Sequence, residues 1–97
     1  MYAINYSFES LEDLHFFRKR EQQEIMDSVD AQLRYEPTVE TRNRKELRPN
    51  EVASWELRIG RFRVFYDVDE EDRNVSIEVI GFKIGHELFI RGERTEL

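Results

Sequence analysis

The chain has 97 residues, 39% of them hydrophobic and 12% aromatic, and a formal net charge of −6 from 21 acids and 15 bases. A chain of this length removes roughly 65% of its unfolded surface from water, so the composition describes one domain with a core of its own and argues against both a disordered chain and a two-domain one. With no cysteine, disulfides, thiolate metal sites and cysteine nucleophiles are excluded, and with only His15 and His86 a histidine-rich metal site is not expected; nothing in the sequence implies another metal or an organic cofactor.

Met1–Phe8 alternates Tyr2, Ile4, Tyr6 and Phe8 with smaller or polar residues, the period of a strand. Ser10, followed by Asp13, reads as an N-cap with an acid in the first turn. Leu11, Leu14 and Phe17 then share a helical face, and Ile25, Val29 and Leu33 make a second apolar stripe. The charged run Arg18-Lys19-Arg20-Glu21 between them predicts a break, hence a helical hairpin over about 10–17 and 20–35. Pro37 ends the second helix. Residues 37–51 form a polar loop with both prolines, long enough to suggest a functional role.

Beyond Ala53 the period is that of strands. Trp55, Leu57 and Ile59 alternate with polar residues, Gly60-Arg61 turns the chain, and Phe62, Val64 and Tyr66 alternate again. Residues 69–74 read as a charged hairpin loop, and Val75, Ile77, Val79 and Ile80 as a strand ending near Gly81. Leu88-Phe89-Ile90 reads as a short extended piece, and Gly92–Leu97 as a tail. The expected fold is α+β: an N-terminal strand, a two-helix hairpin, then three to four mainly antiparallel strands in one curved sheet, all within a single domain over 1–97. Trp55, Phe65 and Tyr66 are expected in the core, with Phe16-Phe17 contributing one buried and one exposed ring.

The charge is segregated. Residues 1–40 and 64–97 each carry a balance of −5, whereas residues 41–63 carry +4. An acidic molecule with one basic centre repels polyanions at long range but can hold a phosphate or an acidic peptide locally. The plainer reading of Arg42, Arg44, Lys45 and Arg48 is a solvated loop. No apolar run reaches the ~20 residues of a membrane span. Met1–Ser10 lacks the basic and apolar regions of a signal peptide. A cytoplasmic domain without membrane contact is therefore expected.

Two stretches carry a family resemblance: Leu47-Arg48-Pro49-Asn50 with the run Trp55–Val68, and Ile80-Gly81-Phe82-Lys83 with Leu88–Glu93. Over nearly the whole chain they resemble the RelE/ParE superfamily, the toxins of type II toxin–antitoxin modules once filed as plasmid stabilisation proteins. The resemblance implies two helices against a curved four-stranded sheet and a cognate antitoxin that folds over the toxin, with an exposed ring near Phe16-Phe17 available for it to cover. The RelE kind cuts mRNA at the ribosome without a metal, whereas the ParE kind inhibits gyrase.

Metal-free RNA cleavage needs a base for the ribose 2′-OH, an acid for the leaving 5′-oxygen and cations for the phosphorane. The resemblance matches Arg63 to the arginine after the turn aromatic and puts Lys83 two residues past Gly81. Phe89 stands where a cleaving relative often has tyrosine; it lacks the hydroxyl but retains a ring that can stack on a base. Ser54 and Glu56 stand where one subgroup carries lysines. His86 is the candidate acid, since an imidazole exchanges protons near neutrality, and Glu56 or Glu46 the candidate base. Arg42, Arg44, Lys45, Arg48, Arg58 and Arg61 are candidate RNA contacts together with Phe89. Each has a plainer reading: an Arg63–Glu56 salt bridge, solvated Arg58 and Lys83, and His86 as a turn residue. The expected function is a ribosome-dependent mRNA interferase with mRNA, ribosome and antitoxin as partners and a homodimer as a further possibility. The alternatives are a gyrase-directed toxin and a degenerate antitoxin-binding module.

Overall fold

The computed structural model describes residues 1–97. Strand β1 (Ala3–Tyr6) leads into helices α1 (Phe8–His15) and α2 (Lys19–Leu33). Six strands follow: β2 (Arg44–Glu46), β3 (Trp55–Ile59), β4 (Phe62–Asp69), β5 (Asn74–Ile84), β6 (Glu87–Ile90) and β7 (Glu93–Thr95). They form one sheet in the order β2-β3-β4-β5-β6-β7, antiparallel throughout, with β1 added parallel to β5. The α+β architecture agrees with the sequence reading. Two short strands exceed it: β2 lies within the expected loop, and β7 in the expected tail. No helix is long and apolar enough to cross a membrane.

Both helices pack on one face of the sheet. Ile25, Val29 and Leu33 bring the stripe of α2 onto Leu57, Val64, Tyr66, Ile77 and Ile80, all fully buried. Burying such side chains contributes about 1.5–3 kcal/mol each before the opposing entropy. Trp55 and Tyr66 stack within this layer, and Phe17 is buried against Phe62 while Phe16 stays exposed, as the sequence suggested. The opposite face is open. Its small apolar cluster of Ala53, Phe65 and Leu88 carries Leu47, Val52, Val79 and Ile90 at its margin.

The alternation along β5 changes phase. Val75 and Ile77 face the helices, and so do Ile80 and Phe82, because a bulge shifts the register where Tyr66 pairs with Ile77 and Phe65 with Val79. Beyond β4, the other edge of β5 pairs with β1 at residues 74–77 and with β6 at 82–84. The gap between them is closed by α1. The Ser7 hydroxyl donates to the Glu78 carbonyl (2.8 Å) and accepts the Ser10 amide (3.0 Å), and the Asp13 carboxylate accepts the Ile80 amide (2.9 Å). Ser7 is therefore the cap, and α1 begins two residues before the expected start. Ser10 is buried and turns its hydroxyl back onto the Ser7 carbonyl.

Strand β6 passes so close to Gly81 that a methyl group there would sit 2.5 Å from the Phe89 carbonyl oxygen. That contact is with backbone and cannot relax cheaply. Gly81→Ala is expected to lower stability by about 1–3 kcal/mol, measured by urea denaturation; an unchanged midpoint would contradict this packing.

The region 37–51 is fastened rather than loose. Buried Tyr66 donates its hydroxyl to the Pro37 carbonyl (2.7 Å). The Asn50 side chain accepts the Val52 and Ala53 amides and donates to the Arg48 and Ala53 carbonyls. Fixed in this way, β2 extends the sheet and presents Lys45 opposite Glu56.

Candidate functional site

Directly opposed residues in a sheet share a face. The register therefore sets Lys45, Glu56, Phe65 and Val79 in one row across the open face, and Arg58, Arg63 and Gly81 in the next. Lys83 pairs with Leu88 on β6. Above these rows is a cleft of about 470 Å³, lined among others by Lys45, Glu56, Arg58, Lys83, His86 and Arg94. The cations thus come from β2, β3, β5 and β7, with His86 on the turn that joins β5 to β6.

Glu56 is the buried carboxylate of this cleft, only 6% exposed, and its Oε1 lies 3.1 Å from Arg58 Nε. The expected Arg63–Glu56 bridge is not formed; Arg58 takes that partner. Arg63 folds back on its own turn, donating from Nη1 to the Gly60 (2.8 Å) and Phe62 (2.9 Å) carbonyls. Its Nε is buried without a partner. Burial pulls the Arg63 guanidinium below its ordinary pKa; Glu56 opposes that shift and neighbouring Arg58 adds to it. It remains a cation at neutral pH.

Of the seven candidate RNA contacts only Lys45 and Arg58 line the cleft, and Arg44, Arg61 and Phe89 are turned away from it. Arg44 is 8% exposed and turned inward: its Nε donates to the Val39 carbonyl, and its Nη1 to the Gln32 carbonyl and to Gln32 Oε1, each at 2.9 Å. It closes the C-terminal turn of α2, where free carbonyls and the helix dipole both favour a cation. A +4 segment cannot show from composition alone which of its arginines is spent on structure. Arg44→Ala is expected to lower stability by about 2 kcal/mol, read as a shifted denaturation midpoint, because it leaves the Gln32 and Val39 carbonyls without their donor.

Arg61 lies on the helix side, paired with Glu21 (3.0 Å) and set over the Phe62 and Phe82 rings. Phe89 stacks on Phe82 (centroids 5.5 Å apart), and Phe82 belongs to the helix-side layer, so its ring does not face the cleft. The reason is alternation: Leu88 and Ile90 take the open face, and Phe89 between them takes the other. Arg42 is exposed in the loop before β2, and Arg48 lines a neighbouring shallow depression with Leu47, Pro49 and Asn50. No tyrosine lines the cleft.

Sequence reasoning missed Glu87 and Arg94, which bridge at 3.1 Å at the rim of the cleft. The missed signal was Arg91-Gly92: both have positive φ (51° and 81°), the turn that folds β7 back on β6.

Neither a protein-family model nor a curated protein sequence matches the chain. Solved structures do. The RelBE2 toxin–antitoxin complex of Mycobacterium tuberculosis matches with a TM-score of 0.73 and 24% identity, over 84% of this chain and 98% of the other. The archaeal RelE–RelB complex of Pyrococcus horikoshii OT3 matches with a TM-score of 0.69 and 21% identity, over 88% and 97%. The chain thus shares its fold with chains of these RelE-type complexes over more than four fifths of its length, and carries the RelE-like α+β fold.

Proposed function

We propose that the protein is a RelE-like toxin of a type II toxin–antitoxin module, held inactive by a cognate antitoxin and cutting mRNA at the ribosome when released. The observation that carries this reading is the convergence of Lys45, Glu56, Arg58, Lys83 and His86 on one cleft of a RelE-like fold. They come from sequence positions up to 41 residues apart, and composition alone would not bring them together.

In the proposed reaction the ribose 2′-oxygen attacks the adjacent phosphorus as Glu56 takes its proton. The bond to the 5′-oxygen breaks while His86 delivers a proton to that oxygen. The products are a 2′,3′-cyclic phosphate and a free 5′-hydroxyl. Arg58 and Lys83 neutralise the charge that builds on the non-bridging oxygens. Arg63 serves as a phosphate clamp only by exchanging its two turn carbonyls for phosphate oxygens, which would also give its unpartnered Nε an acceptor. Lys45 at the margin, with Arg42 and Arg48 beyond it, extends the positive surface along the RNA strand.

The test is induction of the chain alone in a bacterium, with primer extension on a reporter mRNA. Growth arrest with new 5′ ends within codons is expected, and Arg63→Ala is expected to relieve it while the purified variant remains folded. A folded Arg63→Ala protein of full toxicity would remove Arg63 from the mechanism. The missing tyrosine and the placement of Phe89 favour one second reading, a toxin that inhibits by binding. Arrest without cleavage, together with inhibited supercoiling by purified gyrase, would select it.

A further inference from the structure

The segment after β6 returns to the cleft. Thr95 of β7 lies opposite Leu88, on the open face, and residues 94–97 line the same cleft as Lys45, Arg58 and Lys83. Leu97 also lines the adjoining depression of Leu47, Arg48, Pro49 and Asn50. The tail thus runs from the edge strand β7 to the loop between β2 and β3, past the cations of the cleft.

Glu96 forms no ion pair, and neither do Lys45 and Lys83. A carboxylate without a fixed partner therefore shares the cleft with two cations that have none, and their field favours it there. Leu97, 47% exposed, gives the tail an apolar end beside Leu47 and Pro49. The hold on this tail is light. Strand β7 makes three pairs with β6 and has no partner on its other edge. Its turn keeps Arg91 at φ 51°, a costly conformation for a residue with a Cβ. The Glu87–Arg94 pair that fastens β7 to β6 is 53% and 61% exposed, so solvent screens it. A segment held by few backbone bonds and screened charge opens locally, without unfolding the core.

Taking the cleft as the phosphate-binding site argued above, we propose that residues 94–97 are an autoinhibitory strap. With the strap seated, the Glu96 carboxylate takes the place of a phosphate among Lys45, Arg58 and Lys83, and Leu97 closes the cleft toward the 47–50 loop. A phosphate-bearing ligand competes for the same cations. Its greater charge displaces Glu96, and the end of β7 peels from β6 and carries the tail away. The strap lowers the apparent affinity of the cleft in proportion to the fraction of molecules left open. A purely structural tail, covering only the edge of β6, would leave an unpaired acid among unpaired cations without a reason.

The test is NMR spectroscopy of the full-length protein, with pyrophosphate and an uncleavable 2′-O-methyl trinucleotide as probes. In the free protein the Glu96 and Leu97 amides are expected to be as rigid as those of β6 on the picosecond–nanosecond timescale. They are expected to become flexible as either probe shifts the signals of Lys83 and His86. Release by the trinucleotide assigns the phosphates to RNA, and release by pyrophosphate alone assigns them to a free phosphate compound; both support the strap. Leu97→Ser removes the anchor without changing charge. It should tighten pyrophosphate binding about three- to tenfold, where a general effect of charge predicts no change, and Glu96→Gln should act in the same direction. Flexible Glu96 and Leu97 amides in the free protein, a tail that stays rigid while the cleft signals shift, or unchanged affinity in Leu97→Ser would overturn the proposal. Probes that shift no cleft signal would overturn it together with the reading of the cleft. Release of the tail in a protein that cuts no mRNA would uphold the strap and remove only the proposed reaction.

Discussion

Replacing His86 by alanine is expected to slow mRNA cleavage by about two to four orders of magnitude, the usual contribution of a positioned general acid. His86 is exposed on the two-residue turn between β5 and β6, where it lines the cleft, so its loss removes no packing and stability should change by no more than about 0.5 kcal/mol. Lys83→Ala tests a separate role. In the proposed reaction Lys83 supplies charge without transferring a proton, so its loss is expected to slow cleavage by roughly 10²- to 10³-fold. Added imidazole should restore part of the rate of His86→Ala, and no such rescue is expected for Lys83→Ala. The measurement is ribosome-dependent cleavage of a defined mRNA with purified variants. A His86→Ala protein that cleaves at the parental rate would show that no proton passes through this residue.

The second large effect is structural. Asp13 is 1% exposed and accepts the Ile80 amide, within the stretch of β5 between its pairings with β1 and β6. Arg91 approaches the same carboxylate at 3.2 Å, but its own side chain is 43% exposed. Asp13→Ala leaves the Ile80 amide buried without an acceptor and should lower stability by about 2–3 kcal/mol, a fall in Tm on the order of 10 °C for a domain of this size. Asp13→Asn retains an acceptor oxygen and should be far milder. Thermal melts of the two variants side by side would check this, and equal losses would mean that the hydrogen bond to Ile80 is not what Asp13 contributes.

The two variants also differ in their response to pH. Burial raises the Asp13 carboxyl above its ordinary pKa of 3.8, while the Ile80 amide and Arg91 pull it partly back. The folded state therefore holds this proton more tightly than the unfolded chain. The favourable contribution is complete below the ordinary pKa and is lost as pH rises through the raised folded value. Asp13→Asn should flatten that part of the stability–pH curve. A residual slope of the same sign should persist from Glu78, which is raised by burial and by its contact with Asp67. An unchanged slope in Asp13→Asn would show that Asp13 titrates as it does in the unfolded chain.

These residues show where reading along the chain stops. The apolar stripe of α2 and the alternation of β3 and β4 were legible because each element buries one face and repeats at its own period. The phase change in β5 was not. Val79 and Ile80 are consecutive apolar residues, and only the paired strand reveals that one faces the helices and the other the open side. The start of α1 was misplaced for a related reason: Ser7 and Ser10 are equally good caps by residue type, and Ser7 is the cap because its hydroxyl also reaches the Glu78 carbonyl on a strand 71 residues away.

The candidate site divides in the same way. Composition and local pattern determined an α+β chain with cations at its centre, Glu56 and Arg58 on a strand and His86 on a turn, since charge, period and turn residues are properties of neighbours in sequence; the strand expected to end near Gly81 instead runs to Ile84 and carries Lys83, because β6 pairs with it over 82–84. Tertiary structure alone decided which cations are free. Arg44 is consumed by the end of α2, Arg61 lies across the sheet with Glu21, Arg63 is folded on its own turn, and Lys45, Arg58 and Lys83 are left around Glu56 and His86. Nothing local distinguishes these arginines. A guanidinium binds whichever carbonyls or carboxylates the fold brings within reach: for Arg44 and Arg61 these lie on α2, and for Arg63 on its own turn.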